Sequence, residues 1–291
     1  MSLLQEQDLN NILPKDGPTT EETIKYFEKY SEDFIVIKMG GSVLSNNSLF
    51  NNLIQDIVIL KKLGLSIFLV HGGGSKISKK LNDLNIKSNF INGLRVTDDK
   101  IINIVEDILI QFNKEIVNAL KNQSCGAIKI TSKENNIITV KPENDTLGFV
   151  GKPTKININI LTEIVKANQV PVIASLGLDE NNQTFNINAD SVAGAIAKEL
   201  KARRLLILSD VEGVQNKDKT LVPEINSDQA KQMIADGTIS GGMIPKIDNC
   251  LDVAKNGVKG VCIIDGRKNH SVLFELLSDK GSGTLIREWK I

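Results

Sequence analysis

Early in the chain, a short apolar run twice leads straight into a cluster of glycines: FIVIK at 34–38 enters MGGS, and SIFLV at 66–70 enters HGGGS. Runs of this length, rich in β-branched residues and without polar alternation, read as strands buried on both faces. Between them Leu49, Phe50, Leu53, Ile54, Ile57, Val58 and Leu60 recur at helical spacing until Gly64 ends the pattern. Two strands about 30 residues apart with a helix between them form a βαβ unit, so the strands are expected to be parallel and the crossover right-handed. Both glycine turns then lie at the carboxyl ends of neighbouring strands, where open α/β sheets take their ligands.

The alternation continues down the chain. A helix is expected around 100–121, strands at AIKIT (127–131), IITVK (137–141) and VPVIA (170–174), and a helix near 159–168. The short strands at 127–131 and 137–141 read as a hairpin covering a cleft, followed by a loop through GFVGKP. Helices at 190–201, 227–236, 246–256 and 270–278, with strands LLIL (205–208) and VCII (261–264), complete an α/β pattern. Residues 1–31 read as an arm: a polar start, then Thr19, Thr20, Glu21 and Glu22 opening a helix with Ile24, Tyr26, Phe27 and Tyr30 on its apolar positions. Such a helix must dock on its own domain or on another subunit.

Thirty-five basic residues balance thirty-five acidic ones, so no global field attracts nucleic acid or an anionic membrane, and any anion site must be local. Cys125, Cys250 and Cys262 are far apart in the sequence, which suggests neither a disulfide framework nor a zinc cage. No run reaches the roughly 18 apolar residues of a membrane span, and the start lacks the plan of a signal peptide. The expectation is a cytoplasmic protein, or one of the plastid stroma.

Several motifs can carry chemistry. Lys38 ends a strand and is followed by Gly40, Gly41 and Ser42, which places an ammonium beside backbone N–H groups that no side chain screens. The loop VHGGGS puts Gly72, Gly73 and Gly74 at a helix start, where an anion is favoured. It matches neither GxxxxGK[ST] nor GxGxxG, which disfavours a P-loop NTPase or a dinucleotide fold. His71 reads as packing against the turn or hydrogen-bonding it, with a catalytic base as the alternative. Arg95, in NGLRVTD, suits a bidentate grip on a carboxylate. FNINAD sets Asn186, Asn188 and Asp190 on alternating positions before a small-residue helix; Asp190 is either an orienting carboxylate or a helix cap. LLILSDVEGV places Ser209, Asp210 and Gly213 at a strand end, where a nucleotide ring could lie. GGMIPK puts Lys246 at a helix start behind Gly241 and Gly242, against the helix dipole unless an anion lies between.

In this order, K-x-G-G, VHGGG, NGLRVTD, NINAD, LSDVEGV and GGMIPK resemble the acetylglutamate kinases of the amino-acid kinase family, over residues 34–291. The resemblance implies a three-layer αβα sandwich with a mostly parallel sheet and two lobes: 32–202 for the acceptor and 203–291 for ATP. It implies an ATP-dependent kinase acting on the side-chain carboxylate of N-acetyl-L-glutamate, in arginine biosynthesis. Lys38 and Lys246 would stabilise the transferring phosphoryl group and Asp190 would orient them. The amides of Gly40, Gly41, Gly72, Gly73 and Gly74 would hold phosphate and acceptor carboxylate. Arg95 and Asn186 would grip the α-carboxylate, with Asn188 beside them, and the 209–214 and 241–246 loops would form the ATP side. Mg2+ would arrive on the nucleotide phosphates, with no dedicated carboxylate cage.

The arm and the segment 263–286 further resemble the hexameric, arginine-inhibited branch of the family. There the helix interlaces dimers into a ring, so a homo-oligomer is implied. By that resemblance His270, Glu275 and Gly283 would lie at an arginine site, with Arg204 where the branch usually has lysine; the plain alternative is that His270 caps the last helix. The competing functions are another carboxylate kinase of the family, such as one acting on a carrier-bound aminoadipate, and a regulatory module that senses arginine or docks a PII signalling protein.

Overall fold

A computed structural model of the chain describes residues 6–41, 43 and 46–288; Ser42 of the first loop and residues 1–5 of the arm lie outside the described residues. Two short helices, α1 (Glu6–Ile12) and α2 (Thr20–Tyr30), precede β1 (Phe34–Met39). Then follow α3 (Asn47–Lys62), β2 (Ser66–His71), α4 (Gly74–Asp83), a small hairpin of β3 (Phe90–Ile91) and β4 (Leu94–Arg95), and the long α5 (Asp99–Asn122). The middle holds β5 (Ala127–Ile130), β6 (Ile138–Pro142), β7 (Gly151–Ile156), α6 (Ile158–Lys166), β8 (Val170–Ala174), β9 (Leu176–Leu178), β10 (Thr184–Asn186) and α7 (Ala189–Glu199). The last part comprises β11 (Arg204–Ser209), β12 (Glu224–Ile225), α8 (Ser227–Ala235), α9 (Met243–Lys255), β13 (Val261–Asp265), α10 (Ser271–Leu277) and β14 (Gly283–Ile286).

An eight-stranded sheet in the order β12-β14-β13-β11-β1-β2-β8-β5 forms the middle layer. It is parallel throughout except where β13 meets β14. Successive strand residues face opposite layers: Ile35, Ile37, Met39, Leu69 and Leu206 pack in one core, and Val36, Phe68, Val70, Leu205 and Ile207 in the other. This two-sided burial explains why the strand centres are apolar on both faces, as expected of a parallel sheet covered on both sides. β1 is bordered by β2 on one side and β11 on the other, so the strand order reverses there and a crevice opens beyond its carboxyl end. Lys38 and the glycine turns occupy that end.

The expected hairpin of 127–131 with 137–141 does not form. β5 is the edge strand of the main sheet and pairs in parallel with β8, Ala127 opposite Val170. β6 belongs to a second sheet, β10-β9-β6-β7, and pairs antiparallel with β7, which takes up part of the segment read as a loop. The polar link 132–136 resembles a hairpin turn but is a crossover. It is held by Glu106 on α5, which accepts hydrogen bonds from Ser132 Oγ at 2.6 Å and from Thr184 Oγ1 of β10 at 2.7 Å.

Candidate active site

Lys38 lies at the end of β1 in register with Val70 of β2 and Ile207 of β11, so its side chain emerges at the strand-order reversal. Gly40 follows because nothing larger fits: a Cβ there would stand 2.3 Å from the Leu208 carbonyl oxygen. Next door, the 72–74 glycines lead into α4, whose N-cap is Gly73 with no side-chain cap, so amide groups of the first turn remain available to an anion. Asp190 sits in the first turn of α7, and the helix is capped by Asn188, whose Oδ1 accepts from the N–H of Asp190 at 2.9 Å and of Ser191 at 3.1 Å. The capping alternative for Asp190 is therefore overturned, because Asn188 already does that work and frees the carboxylate.

That carboxylate joins two parts of the chain. Lys246 Nζ donates to Asp190 Oδ2 at 2.6 Å, and Lys38 Nζ forms an ion pair with Oδ1 at 2.8 Å. All three side chains are largely shielded. Burial would raise the Asp190 carboxyl, but the Lys38 and Lys246 ammoniums together outweigh it and hold it at about 2. Lys246 arrives from the first turn of α9, which starts at Met243, three residues before the sequence suggested, behind Gly241 in a left-handed conformation and Gly242. The N-terminus of α9 has no side-chain cap. The trio has one net positive charge, and both Asp190 oxygens are occupied.

A cavity of about 260 Å³ opens beside the trio, lined by Lys38, Gly41, Gly72, Gly73, Gly74, Arg95, Asn186, Asn188 and Asp190. Arg95 is buried rather than on the surface. Its guanidinium donates to Ser78 Oγ at 2.8 Å, to the Gly74 carbonyl at 3.2 Å and to Ser88 Oγ, and lies 4.6 Å from the Phe90 ring centroid. Asn186 Nδ2 donates to Thr97 Oγ1 at 3.3 Å. Ser78, Ser88, Thr97 and the cavity-lining Ser175 were not singled out from the sequence. Their signal is weak because small hydroxyl residues are common and what recruits them is a contact distant in sequence.

Beyond β11 and ahead of α9, Asp210, Gly213, Ser240, Met243 and Arg267 line a second cavity of about 360 Å³. Ser209 is buried at the end of β11 and donates to Asp210 Oδ1 at 3.3 Å. The residues expected at an arginine site are distributed around α10 and α2. Glu275 on α10 accepts from the Ser282 N–H at 2.8 Å, next to Gly283. Gly283 is itself required by close packing, a Cβ there falling 2.0 Å from the Ile263 carbonyl oxygen. The guanidinium of Arg204 lies 5.7 Å from the ring centroid of Tyr30 on α2. His270 stands at the opposite end of α10, where its Nδ1 meets Asp56 at 2.6 Å. It occupies the N-cap position, as the capping alternative had it, but caps through its carbonyl, which accepts from the Phe274 N–H at 2.9 Å, and makes no side-chain cap. Among the described residues no group of three or more His, Cys, Asp or Glu could hold a metal ion.

The amino acid kinase family model matches residues 33–265. The chain is 69% identical over 288 residues to an acetylglutamate kinase of Pelagibacter ubique (strain HTCC1062), covering 99% of this chain and 100% of that one. It belongs to the amino acid kinase family, among the acetylglutamate kinases. An acetylglutamate kinase of Ruegeria pomeroyi is 40% identical over 285 residues, 98% of this chain and 99% of its own. Among solved structures, the N-acetylglutamate synthase of Neisseria gonorrhoeae in complex with coenzyme A and N-acetyl-glutamate superposes with a TM-score of 0.85 at 22% identity, covering 93% of this chain. The chain spans 63% of the length of that synthase, and at this identity the likeness speaks for the fold alone. The αβα sandwich expected from the sequence is thus the fold of the family.

Proposed function

We propose that the chain transfers the γ-phosphoryl group of ATP to the side-chain carboxylate of N-acetyl-L-glutamate in arginine biosynthesis, with Lys38, Asp190 and Lys246 as its charge-stabilising centre. The carrying observation is the Asp190 carboxylate held between two lysines at the mouth of a glycine-lined cavity. A carboxylate is already a nucleophile at neutral pH and needs no general base, so positioning and charge neutralisation are the task. One acceptor oxygen bonds to the γ-phosphorus as the bond to the ADP oxygen breaks, and ADP leaves with the electron pair. Lys38 and Lys246 face the charge that accumulates on the transferring group, and Asp190 holds the two ammoniums in place.

Arg95 and Asn186 suit the α-carboxylate of the acceptor, since both line the cavity and Arg95 is oriented by Ser78 and Ser88. The cavity of Asp210, Gly213 and Arg267 suits the nucleotide, which divides the work between 32–202 and 203–291. Mg2+ would come bound to the ATP phosphates and neutralise their charge. Asp190, with both oxygens taken, suits a lysine clamp rather than a metal ligand.

The test is an assay with ATP, Mg2+ and N-acetyl-L-glutamate in the presence of hydroxylamine, which captures an acyl phosphate as its hydroxamate. One hydroxamate is expected for each ADP released. ADP release with a different carboxylate and none with N-acetylglutamate would overturn the acceptor assignment.

Assembly and regulation are part of the same reading. The arm would join dimers into a hexamer, and L-arginine would inhibit from the region of His270, Glu275, Gly283 and Arg204, around α10 and α2. The fit of α2 against α10 supports the arginine part of this reading, because Lys25 and Tyr26 both reach Asp279 just beyond that helix and bring the arm beside Glu275 and Gly283; the hexamer rests on the family resemblance. Cytoplasmic residence and docking of a PII protein rest on the family resemblance.

A further inference from the structure

His71 is fully buried, yet it is a polar residue at the start of the glycine turn. Its two ring nitrogens have different partners. Asn113, in the middle of α5 and also fully buried, brings its Nδ2 to 3.0 Å from His71 Nε2 and to 2.8 Å from the Val172 carbonyl oxygen. A carbonyl oxygen accepts only, so the Asn113 amide presents its NH2 group on this side, and the same group donates to His71 Nε2. Nε2 is therefore the bare nitrogen and Nδ1 carries the hydrogen. Nδ1 lies 3.2 Å from the Gly72 carbonyl oxygen and donates to it. Phe112 closes over the ring edge-on, with centroids 5.2 Å apart.

The direction of that bond has a consequence for the site. In a trans peptide the C=O and the following N–H point in opposite directions, and no peptide in the described residues is cis. Turning the Gly72 carbonyl inward, onto His71, turns the Gly73 N–H outward. Gly73 lines the cavity beside Lys38, and its N–H has no protein acceptor among the described residues. We propose that His71 is a positioning residue for phosphoryl transfer: a neutral strut between α5 and the glycine turn that aims the Gly73 amide at the oxyanion in the cavity. The inference rests on the kinase reading of the site and assigns His71 no contact with substrate. Burial outweighs the opposing effect of the Gly72 hydrogen bond and lowers the imidazole to about 4, so the ring stays neutral at working pH.

Two substitutions separate aiming from packing. His71→Asn keeps an amide donor where Nδ1 stands and gives up the Asn113 contact. His71→Leu gives up both. Both variants are expected to lose similar thermal stability. Only His71→Leu is expected to lose about tenfold to a hundredfold in kcat relative to His71→Asn, somewhat less than deletion of an oxyanion donor, with KM for ATP little changed. Equal kcat in the two variants would overturn the role. Nitrogen-15 spectra of the wild-type imidazole provide a readout independent of turnover and of variant folding. A protonated Nδ1 with a bare Nε2 is expected from about pH 6 to about pH 8, and a protonated Nε2 would overturn the strut. A wild type with this tautomer and no activity on N-acetylglutamate would count against the kinase reading and leave the strut standing.

Discussion

Asp190 is an acidic side chain at the proposed centre of a reaction that gathers negative charge, and its two lysine partners remove the contradiction. With Lys38 on one oxygen and Lys246 on the other, the carboxylate acts as a spacer that fixes two ammoniums and leaves the trio cationic. All three residues were legible in the sequence, because each sits at a glycine-rich turn or helix start, where an unscreened charge has few structural uses. The orienting groups were not. Ser78 and Asn113 lie on helices whose pattern reports only which face is buried, Ser88 lies in the link between α4 and β3, and their contacts cross from one element to another. His71 also gives a pH signature. Its folded-state pKa of about 4 lies below the ordinary 6.5, so on acidification the unfolded chain takes the proton first. That stability cost is absent above about pH 6.5 and grows as pH falls towards 4, to about 3 kcal/mol at the conversion of 1.36 kcal/mol per pKa unit. His71→Asn lacks the cost. Its stability deficit against wild type, measured by urea denaturation, is expected to narrow between pH 6.5 and pH 4, and a constant deficit would contradict the neutral buried imidazole.

At the scale of elements, the sequence reading was sound where structure is local and misjudged where it is not. The βαβ start, the long α5 and the strands β11 and β13 follow from periodicity, caps and glycine stops, and they appear within a few residues of their expected bounds. α2 is also local: Thr19 and Glu22 make a reciprocal capping box, as the threonine and glutamate pattern suggested. The failed hairpin shows the limit. Apolar segments on either side of a polar link are compatible with pairing to each other, but β5 finds a better partner in β8 and β6 in β7. Period and composition give a strand its buried faces and say nothing about which distant strand accepts its hydrogen bonds. β9, β10 and β14 were missed for a related reason, since they are three or four residues long and rich in glycine or polar residues.

At the scale of the whole molecule, the strand order places the glycine turns of β1 and β2 and the loop after β11 around one crevice, with α7 supplying Asp190 and α9 supplying Lys246. In the arm, Tyr30 is buried against the chain's own core, while Ile24 remains 42% exposed. The sequence left own-domain and subunit docking open, and the structure shows the first of them. Removing residues 1–31 is expected to reduce the assembled mass and to abolish arginine inhibition together, as read by light scattering and by turnover with and without arginine. A truncated chain that keeps its mass or its inhibition would contradict the arm's role. The central claim is that two lysines held by Asp190 stabilise the transferring phosphoryl group, and its most direct measurement is kcat for Lys38→Ala and Lys246→Ala with saturating ATP and N-acetylglutamate. Each variant is expected to fall by about two to four orders of magnitude, in line with losses of roughly 10²–10³ for a single oxyanion donor and more for a charge at the phosphoryl group. Turnover near that of the wild type in either variant would contradict the account.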